Sequence, residues 1–445
     1  MTYVQDTIAA LATTPGAAGV AIIRLSGPAA PQIGERIAGG LAQPRRAQLA
    51  SLSDASGARI DRGLTLLFPA PHSFTGEDIV EFHCHGGRVV PQLVLSAALD
   101  LGARLAEPGE FSLRAFFNDK LDLAQAEAIA DLVNAGSESA ARAALRSMEG
   151  AFSNHVQALN QQLIALRVEV EAGLDFPEEE LELLDPKRLV PQFNDWRKQC
   201  TDLLSSAQRG RALRDGLSVV IAGPPNAGKS SLLNRLTGYE AAIVTEIPGT
   251  TRDTVKEQLD LDGLPLEIID TAGLRSSDDP IEAEGMRRAR AVQQKADRVL
   301  WLGDIREGLA HAEQLAETEC EPDTYSIVLN KVDLSSDVPG AAAPNVIKVS
   351  ALTGAGMEAL VEHLKSLAGY ASGADGSFTA RSRHVRALET ALTRVDAAER
   401  RVEEGALELA AEELRLAQES INAITGEYTS DDLLGEIFSS FCIGK

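Results

Sequence analysis

The spacing of apolar residues changes three times along the 445-residue chain. In residues 1–118, short apolar runs at 19–23, 64–68 and 79–82 alternate with glycine and proline, a pattern that predicts strands. The stretch 91–102 lies between turns and predicts a helix. Together these elements predict a small α+β domain at the N-terminus.

Helical spacing dominates residues 119–215 and returns in residues 376–445. In both stretches, apolar residues recur at intervals of three and four. They are Val156, Leu159, Leu163, Leu166 and Val170 in the first stretch, and Val385, Leu388, Leu392, Val395, Leu414, Ala417, Ile421 and Ile424 in the second. Because an amphipathic helix cannot bury its apolar face alone, we expect the two stretches to pack together as one domain. Two separate helical hairpins, or a coiled coil with another chain, are the alternatives.

Strand and helix patterns alternate over residues 216–375, which predicts an α/β domain inserted into the helical one. At its C-terminal end, residues 369–376 (GYASGADG) have the composition of a linker. The predicted fold class is therefore α/β plus α. It consists of an N-terminal α+β domain, a helical domain in two parts, and an inserted α/β domain.

The chain is strongly acidic, with a formal net charge of −23. Such a surface repels phosphate backbones, so we expect RNA binding to need a local basic patch or a basic partner. The cysteines lie more than a hundred residues apart, at positions 84, 200, 320 and 442. This spacing favours reduced thiols over disulfides or a zinc site.

The N-terminus lacks a basic start, and its apolar stretch before Arg24 is broken by Pro15, Gly16 and Gly19. Neither a signal peptide nor a membrane span fits this pattern. We therefore expect a cytoplasmic protein with no membrane partner.

Residues 223–230, GPPNAGKS, match the pattern of a phosphate-binding loop. They follow an apolar strand pattern at 217–222 and open a helix pattern at 231–236, which is the context that such a loop requires. Lys229 would place a positive charge beside the β- and γ-phosphates, and Ser230 would offer its hydroxyl to Mg²⁺. A surface turn rich in glycine and proline is the alternative.

Two further segments favour guanine as the base. Asn330-Lys-Val-Asp333 follows an apolar run at 325–329, and Asp333 would accept from N1–H and the exocyclic amine of guanine. Adenine lacks this donor pair and would leave Asp333 unpaired, which favours GTP over ATP. Ser350-Ala-Leu352 follows the run 346–349, where a backbone N–H would reach the guanine carbonyl.

Asp270-Thr-Ala-Gly273 ends the strand pattern 266–269. We expect Asp270 to hold Mg²⁺ directly or through water, and Thr251, in a segment placed like a mobile switch, to be a second Mg²⁺ ligand. Leu274 occupies the position where many small GTPases have a water-orienting glutamine, so hydrolysis needs another group. The candidate GTP-binding residues are Asn226, Ala227, Gly228, Lys229, Ser230, Ser231, Thr245, Glu246, Ile247, Pro248, Gly249, Thr250, Thr251, Asp270, Thr271, Ala272, Gly273, Asn330, Lys331, Asp333, Ser350, Ala351 and Leu352.

Several segments outside the nucleotide motifs match one family. They are 15–24 (PGAAGVAIIR), 84–87 (CHGG), 109–116 (GEFSLRAF), 120–127 (KLDLAQAE) and, most specifically, 441–445 (FCIGK). Over essentially its whole length, the chain resembles the bacterial tRNA-modification GTPase family MnmE, also called TrmE. The resemblance implies an N-terminal domain similar to folate-binding proteins, a helical domain and an inserted Ras-like G domain.

Family resemblance also implies a function. It implies a homodimer that works with the FAD-dependent partner MnmG (GidA) in a heterotetramer. Given the net charge of −23, we expect most of the tRNA affinity to come from this partner. Together they would install an aminomethyl or carboxymethylaminomethyl group at C5 of the tRNA wobble uridine. A 5-formyl-tetrahydrofolate-type donor would contact Arg24, Glu81, Lys120 and Lys445. Considered alone, these four residues look like surface charges.

In this family, hydrolysis is stimulated by K⁺ and by dimerisation of the G domains. The resemblance makes Asn226 the K⁺ ligand, with backbone carbonyls around Thr245, Ile247 and Thr250 completing the site. It also makes Glu282 the catalytic glutamate, acting beside Lys229 and Thr251.

Other interpretations remain open. A GTP-switched assembly factor of the ribosome-maturation type, without folate chemistry, is the alternative function. Cys442 is a candidate for chemistry or for a buried small residue. His83 and His85 share one face of a strand, but without a second cluster we expect structural roles rather than a metal site.

Overall fold

The computed structural model describes residues 6–41, 43–175, 186–238, 242–244, 256–261, 264–270, 296–322, 324–368, 378–427, 431–439, 441 and 444. The chain divides into two compact units. The first comprises Met1–Ala130, Met148–Leu189 and Arg394–Lys445, and the second comprises Asp131–Ser147 and Val190–Thr393. Among the described helices, none combines the length and apolar character needed to cross a membrane.

The strands belong to two sheets. They are β1 (Ile8–Leu11), β2 (Ala21–Ser26), β3 (Gln48–Ser53), β4 (Arg59–Phe68), β5 (Ile79–Cys84), β6 (Arg104–Leu105), β7 (Leu217–Ala222), β8 (Ala242–Val244), β9 (Lys256–Leu261), β10 (Leu264–Asp270), β11 (Arg298–Asp304), β12 (Tyr325–Asn330), β13 (Gly340–Ala343) and β14 (Val346–Lys348).

The helices are α1 (Ala30–Ala38), α2 (Val90–Asp100), α3 (Glu110–Phe117), α4 (Leu123–Val133), α5 (Glu138–Met148), α6 (Ala151–Asp175), α7 (Pro186–Asp215), α8 (Lys229–Thr237), α9 (Leu309–Glu319), α10 (Met357–Leu367), α11 (Ser382–Glu403), α12 (Leu407–Thr425) and α13 (Asp431–Ser439).

In the first unit, a six-stranded sheet has the order β3-β4-β5-β2-β1-β6. Its neighbouring strands are antiparallel, except that β1 and β6 are parallel. Helices α1 and α2 bury their apolar side chains against this sheet, for example Ile33 and Val94 against Val80 and Phe82. The three predicted strands and the predicted helix at 91–102 are confirmed, and β1, β3, β6, α1 and α3 are additional elements.

Helical stretches from both sides of the inserted domain pack on each other. In the first unit, α6 lies against α12, and Arg167 Nη1 of α6 donates to Gln418 Oε1 of α12 at 3.1 Å. The predicted apolar series of these two helices is buried, with Val170 and Ile421 both 0% exposed. In the second unit, α7 contacts α11, where Cys200 Sγ lies 3.8 Å from Leu388 O.

The second unit contains an eight-stranded sheet of order β13-β14-β12-β11-β7-β10-β9-β8. Strands β7, β10, β11, β12 and β14 run parallel, and the remaining pairs are antiparallel. Helices α8 and α10 pack on the face that carries Val219 and Ile221. Helix α9 packs on the opposite face, against Ala222 and Trp301. A mostly parallel sheet with helices on both faces places ligand-binding loops at the carboxyl ends of its strands.

Candidate functional site

The nucleotide motifs meet at one edge of the second sheet. The loop 223–230 follows β7, Asp270 is the last residue of β10, Asn330 is the last residue of β12, and Ser350 follows β14. Because these strands are parallel, their carboxyl ends share one edge. Strand β7 also has β10 on one side and β11 on the other, so the loop lies where the direction of strand succession reverses.

The conformation of loop 223–230 depends on glycine at two positions. Gly223 has a φ of +135°, and a Cβ there would lie 2.3 Å from Leu302 O. Gly228 has a φ of +96°, and a Cβ there would lie 2.4 Å from Asn330 Nδ2. Asn226 adopts the left-handed region with a φ of 62°, which asparagine tolerates better than most residues. Larger side chains at either glycine would therefore disturb the loop.

Lys229 begins α8 and lies over this loop. Its Nζ donates to the carbonyls of Gly223 at 3.0 Å and Pro224 at 2.9 Å. Ser230 and Ser231 follow on the first turn and are exposed. The loop thus presents an ammonium group, a helix N-terminus and two hydroxyl-bearing residues, which is a donor set suited to phosphate and Mg²⁺.

Asn330 links the phosphate loop to the base-recognition loop. Its Nδ2 donates to Ala227 O at 2.8 Å, and its Oδ1 accepts from Ala351 N at 3.0 Å. The Asn330 residue is only 2% exposed, so both bonds lie away from solvent. One side chain therefore fixes the relative position of two predicted GTP-binding segments.

Asp333 is exposed and lies beside Ser350. Ser350 Oγ donates to Asp333 Oδ1 and accepts from Thr353 N at 3.1 Å. The loop after β14 is also held by α8, because Arg235 Nε donates to Ala351 O at 3.0 Å. Leu352, in the same loop, is 77% exposed. The carboxylate of Asp333 is thus oriented at the edge of the sheet and accessible to a base.

Asp304 is a residue that the sequence prediction did not include. It ends β11, and its Oδ2 accepts from Lys331 Nζ at 2.9 Å, while Lys331 has a φ of 66°. Arg306 binds the same carboxylate through its backbone N–H, Nε and Nη2. These Arg306 bonds, followed by Lys331, hold the pKa of Asp304 well below its usual range. The sequence pattern that could have indicated Asp304 is an aspartate at the end of an apolar strand pattern, as at Asp270.

Several predicted residues lie outside the described residues. They are Thr245, Glu246, Ile247, Pro248, Gly249, Thr250, Thr251, Thr271, Ala272, Gly273, Leu274, Glu282, Cys442 and Lys445. Of the predicted Mg²⁺ ligands the described part contains Ser230 and Asp270, and of the predicted K⁺ ligands it contains Asn226. Within that part, no three His, Cys, Asp or Glu residues group as a metal site.

A second group of predicted residues lies on the first sheet. Arg24 of β2 and Glu81 of β5 are directly paired across the two strands. Arg24 Nε is 2.9 Å from Glu81 Oε1, and His83 Nε2 is 3.1 Å from Glu81 Oε2. The Arg24 guanidinium also lies 5.8 Å from the ring centroid of Phe74. A partly exposed ion pair therefore lies next to an aromatic ring.

Gly444, near the C-terminus, also contacts Arg24. Arg24 Nη1 donates to Gly444 O at 3.5 Å. Gly444 has a φ of +95°, and a Cβ there would lie 2.5 Å from Leu11 O, so the backbone passes close to β1. Lys120 is exposed and lies close to Gly76, in the loop that carries Phe74. A Cβ added at Gly76 would lie 3.2 Å from Lys120 Cε.

The histidines beside this pair have protein partners rather than a shared metal position. His83 contacts Glu81, and His85 Nδ1 lies 2.8 Å from Asp61 Oδ1. Cys84 is buried between them, and burial raises the pKa of its thiol to about 11. These contacts agree with structural roles for the three residues.

Comparison with known proteins identifies the family. The family model of the GTP-binding protein TrmE N-terminus matches residues 7–120, and that of the MnmE helical domain matches residues 123–442. The tRNA modification GTPase MnmE of Alkalilimnicola ehrlichii is 56% identical over 445 residues, covering 99% of this chain and 100% of that protein. The chain belongs to the MnmE (TrmE) family.

A second MnmE relative agrees with this assignment. The tRNA modification GTPase MnmE of Hydrogenovibrio crunogenus is 51% identical over 447 residues, covering 99% of each chain. Among solved structures, the G domain of the FeoB iron transporter of T. maritima aligns with 34% of this chain and 98% of its own, at 25% identity. Its TM-score of 0.25 is too low to support a fold assignment. The resemblance and the fold class predicted from the sequence are confirmed by the family matches.

Proposed function

We propose that this protein is a GTP hydrolase that acts in tRNA modification. The observation that carries the proposal is that Asn330 donates to Ala227 O and accepts from Ala351 N, which joins a phosphate loop to a guanine-selective loop. Full-length relatives named tRNA modification GTPase MnmE support the second half of the proposal. Because tRNA is the proposed target, we also propose that the protein works in the cytoplasm.

The described residues account for binding of the nucleotide. The first turn of α8 and loop 223–230 would direct backbone N–H groups at the phosphates, and Lys229 would exchange its two carbonyl partners for phosphate oxygens. Asp333 would accept from N1–H and the exocyclic amine of guanine, and Ser350 orients it. Adenine would leave the Asp333 carboxylate without this pair of donors.

Metal ions would supply the remaining charge compensation. Ser230 and Thr251, with Asp270 directly or through water, would hold Mg²⁺, which neutralises charge on the β- and γ-phosphates. Asn226, with carbonyls of Thr245, Ile247 and Thr250, would hold K⁺ in the position where other GTPases use an arginine. Both sets consist of oxygen donors, which these hard cations prefer. Glu282 would position the attacking water.

The first unit would bind a folate. Arg24, Lys120 and Lys445 would meet its anionic groups, and Glu81 would accept from the pterin N–H edge. The ion pair of Arg24 with Glu81 supports a shared site for these two residues, and Arg24 also contacts Gly444. The protein would act as a homodimer with MnmG (GidA), using a formyl-tetrahydrofolate-type donor to modify C5 of the wobble uridine.

We further propose the domain boundaries 1–118, 119–215, 216–375 and 376–445, with the first and third segments as the folate-binding-like and G domains. The family model of the TrmE N-terminus ends close to the first boundary, at residue 120.

The test of this function is GTP turnover by the purified chain at saturating Mg²⁺ and K⁺. We expect turnover of GTP but not ATP, and loss of GTP turnover in Lys229→Ala. Lys348→Ala is the matched control, because Lys348 pairs with Asp337 on the surface. GTP turnover by Lys229→Ala equal to that of the parent, or ATP turnover by the parent equal to its GTP turnover, would refute the proposed site. Absence of 5-formyl-tetrahydrofolate binding to the intact protein would favour an assembly factor instead.

A further inference from the structure

A group of arginines lies in the second unit of this acidic chain. Residues 203–214 contain Arg209, Arg211 and Arg214 and no carboxylate. Residues 378–388 contain Arg381, Arg383 and Arg386 and likewise no carboxylate. These two segments stand out in a protein with a net charge of −23. We call these six residues the arginine surface.

Direct contacts bring the two segments together. A Cβ added at Gly210 would lie 2.1 Å from Phe378 O. Helix α7 therefore approaches residues 378–380 so closely that a side chain at position 210 would clash with their backbone. Ten residues earlier in α7, Cys200 Sγ lies 3.8 Å from Leu388 O. The two segments therefore run antiparallel over about 15 Å between these contacts, with Arg209 inside this stretch and Arg211 and Arg214 just beyond its end.

Asp131 fixes one end of the arginine surface. Its Oδ1 accepts from Arg214 Nε at 2.8 Å and from Arg381 Nη2 at 2.8 Å. The two helical segments are thereby cross-linked through a single carboxylate whose side chain is 6% exposed. Arg214 Nη1 also pairs with Asp215, so this end of the arginine surface carries two carboxylates.

Three other members form no direct ion pair with a carboxylate in the part of the chain that the structure describes, although the charge of Arg211 acts on Asp215. Arg209 donates to the hydroxyls of Ser205 and Ser206, each at 2.9 Å, and forms no ion pair with a described residue. Arg211 and Arg386 are exposed and likewise form none with the described residues. By contrast, Arg401 and Arg415 on other helices are each paired with a glutamate.

We propose that the arginine surface binds the sugar–phosphate backbone of tRNA. This inference rests on the proposed function in tRNA modification, which makes tRNA the phosphate-bearing partner. Guanidinium groups match phosphate oxygens in bidentate geometry, so arginines exposed on two adjacent segments suit contacts with several phosphates of a folded RNA. The surface supplies the local basic patch that an acidic chain needs to approach RNA, and it contributes a modest part of the affinity of the full complex.

The test measures binding of a tRNA transcript to the full-length protein by fluorescence anisotropy over a series of KCl concentrations. The variant is the triple substitution Arg209→Gln, Arg211→Gln and Arg386→Gln. We expect micromolar binding by the parent at low salt, and a Kd at least about tenfold weaker in the variant. The slope of log K against log salt should fall by about 2, since each phosphate contact contributes about 0.7 to 0.9.

The matched control is Arg400→Gln, Arg401→Gln and Arg415→Gln, which removes the same charge from other helices. It should bind tRNA as the parent does, and both triple variants should keep the parent's rate of GTP hydrolysis. An unchanged Kd and slope in the first variant, or an equal loss of tRNA affinity in the control, would overturn the proposal that the arginine surface binds tRNA. Competition by polyglutamate as effective as competition by tRNA would assign the surface to an acidic protein and also overturn it.

Failure of this inference is distinguishable from failure of the proposed function. If the parent restores wobble-uridine modification in a deletion strain while the first variant binds tRNA normally, only the arginine surface is refuted. If the parent does not restore modification, the proposed function itself is refuted.

Discussion

Lys331 and Asp304 form an ion pair at the edge of the nucleotide sheet, with Lys331 Nζ 2.9 Å from Asp304 Oδ2. Lys331 directly follows Asn330 and has a left-handed backbone, a conformation that is unfavourable for lysine and that a side-chain ion pair helps to hold. Asp304 supplies that partner from the end of the neighbouring strand β11. The pair therefore stabilises the conformation of the loop that carries Asp333.

Asp304→Asn should weaken GTP binding. The substitution removes the counter-charge of Lys331 and leaves an amide in a nearly buried position, so we expect a Kd about tenfold weaker, equivalent to about 1.4 kcal/mol. Calorimetric titration with a non-hydrolysable GTP analogue measures this change. Asp337→Asn, which breaks the exposed pair with Lys348, should leave the Kd within about twofold. Equal Kd values for Asp304→Asn and the parent would contradict the role assigned to Asp304.

Asn330→Ala should destabilise the second unit and also reduce GTP affinity. The change leaves Ala227 O and Ala351 N without their partner in a buried position, at a cost of about 1 to 3 kcal/mol for each group. Chemical unfolding followed by circular dichroism reports the loss. Asn234→Ala, at an exposed position on α8, is the control and should be neutral or slightly stabilising. A free energy of unfolding that is equal in the two variants would show that Asn330 does not link the loops.

Asp333→Asn should exchange the base preference from guanine to xanthine. Xanthine has a carbonyl where guanine has its exocyclic amine, so an amide that donates suits xanthine and leaves guanine mismatched. We expect GTP turnover to fall by at least about a hundredfold and XTP turnover to rise correspondingly. The variant loses about 3 kcal/mol of binding free energy for guanine and gains a similar amount for xanthine. The measurement is the turnover of GTP and of XTP by the parent and by the variant. Unchanged preference for GTP in the variant would place the base elsewhere.

Glu282→Ala should keep nucleotide affinity and lose most of kcat. Leu274 cannot hydrogen-bond a water molecule, so the water-positioning role falls to another residue, for which Glu282 is the candidate. Single-turnover hydrolysis at saturating K⁺ separates the chemical step from binding. Turnover comparable with that of the parent under these conditions would remove Glu282 from the catalytic set.

Local patterns in the sequence predicted much of the fold and the candidate site. Loop 223–230 and Asp333 lie where their flanking strand patterns indicated, because strand–loop–helix order is encoded locally. The roles of Asn330 and Asp304 depend on which strands are neighbours, and β11 lies beside β7 and β12 only in the folded sheet. The approach of Gly444 to Arg24 likewise joins residues more than four hundred positions apart. Such contacts cannot be inferred from spacing.

The most direct test of the account is mass analysis of wobble uridines in tRNA from a strain that lacks the endogenous MnmE protein and expresses this chain. We expect the parent to restore the C5 modification, and Lys229→Ala and Asp333→Asn to fail although they accumulate to the same level. Lys348→Ala should restore it fully. Restoration by Lys229→Ala, or absence of the modification with the parent, would contradict the claim that GTP hydrolysis by this chain drives tRNA modification.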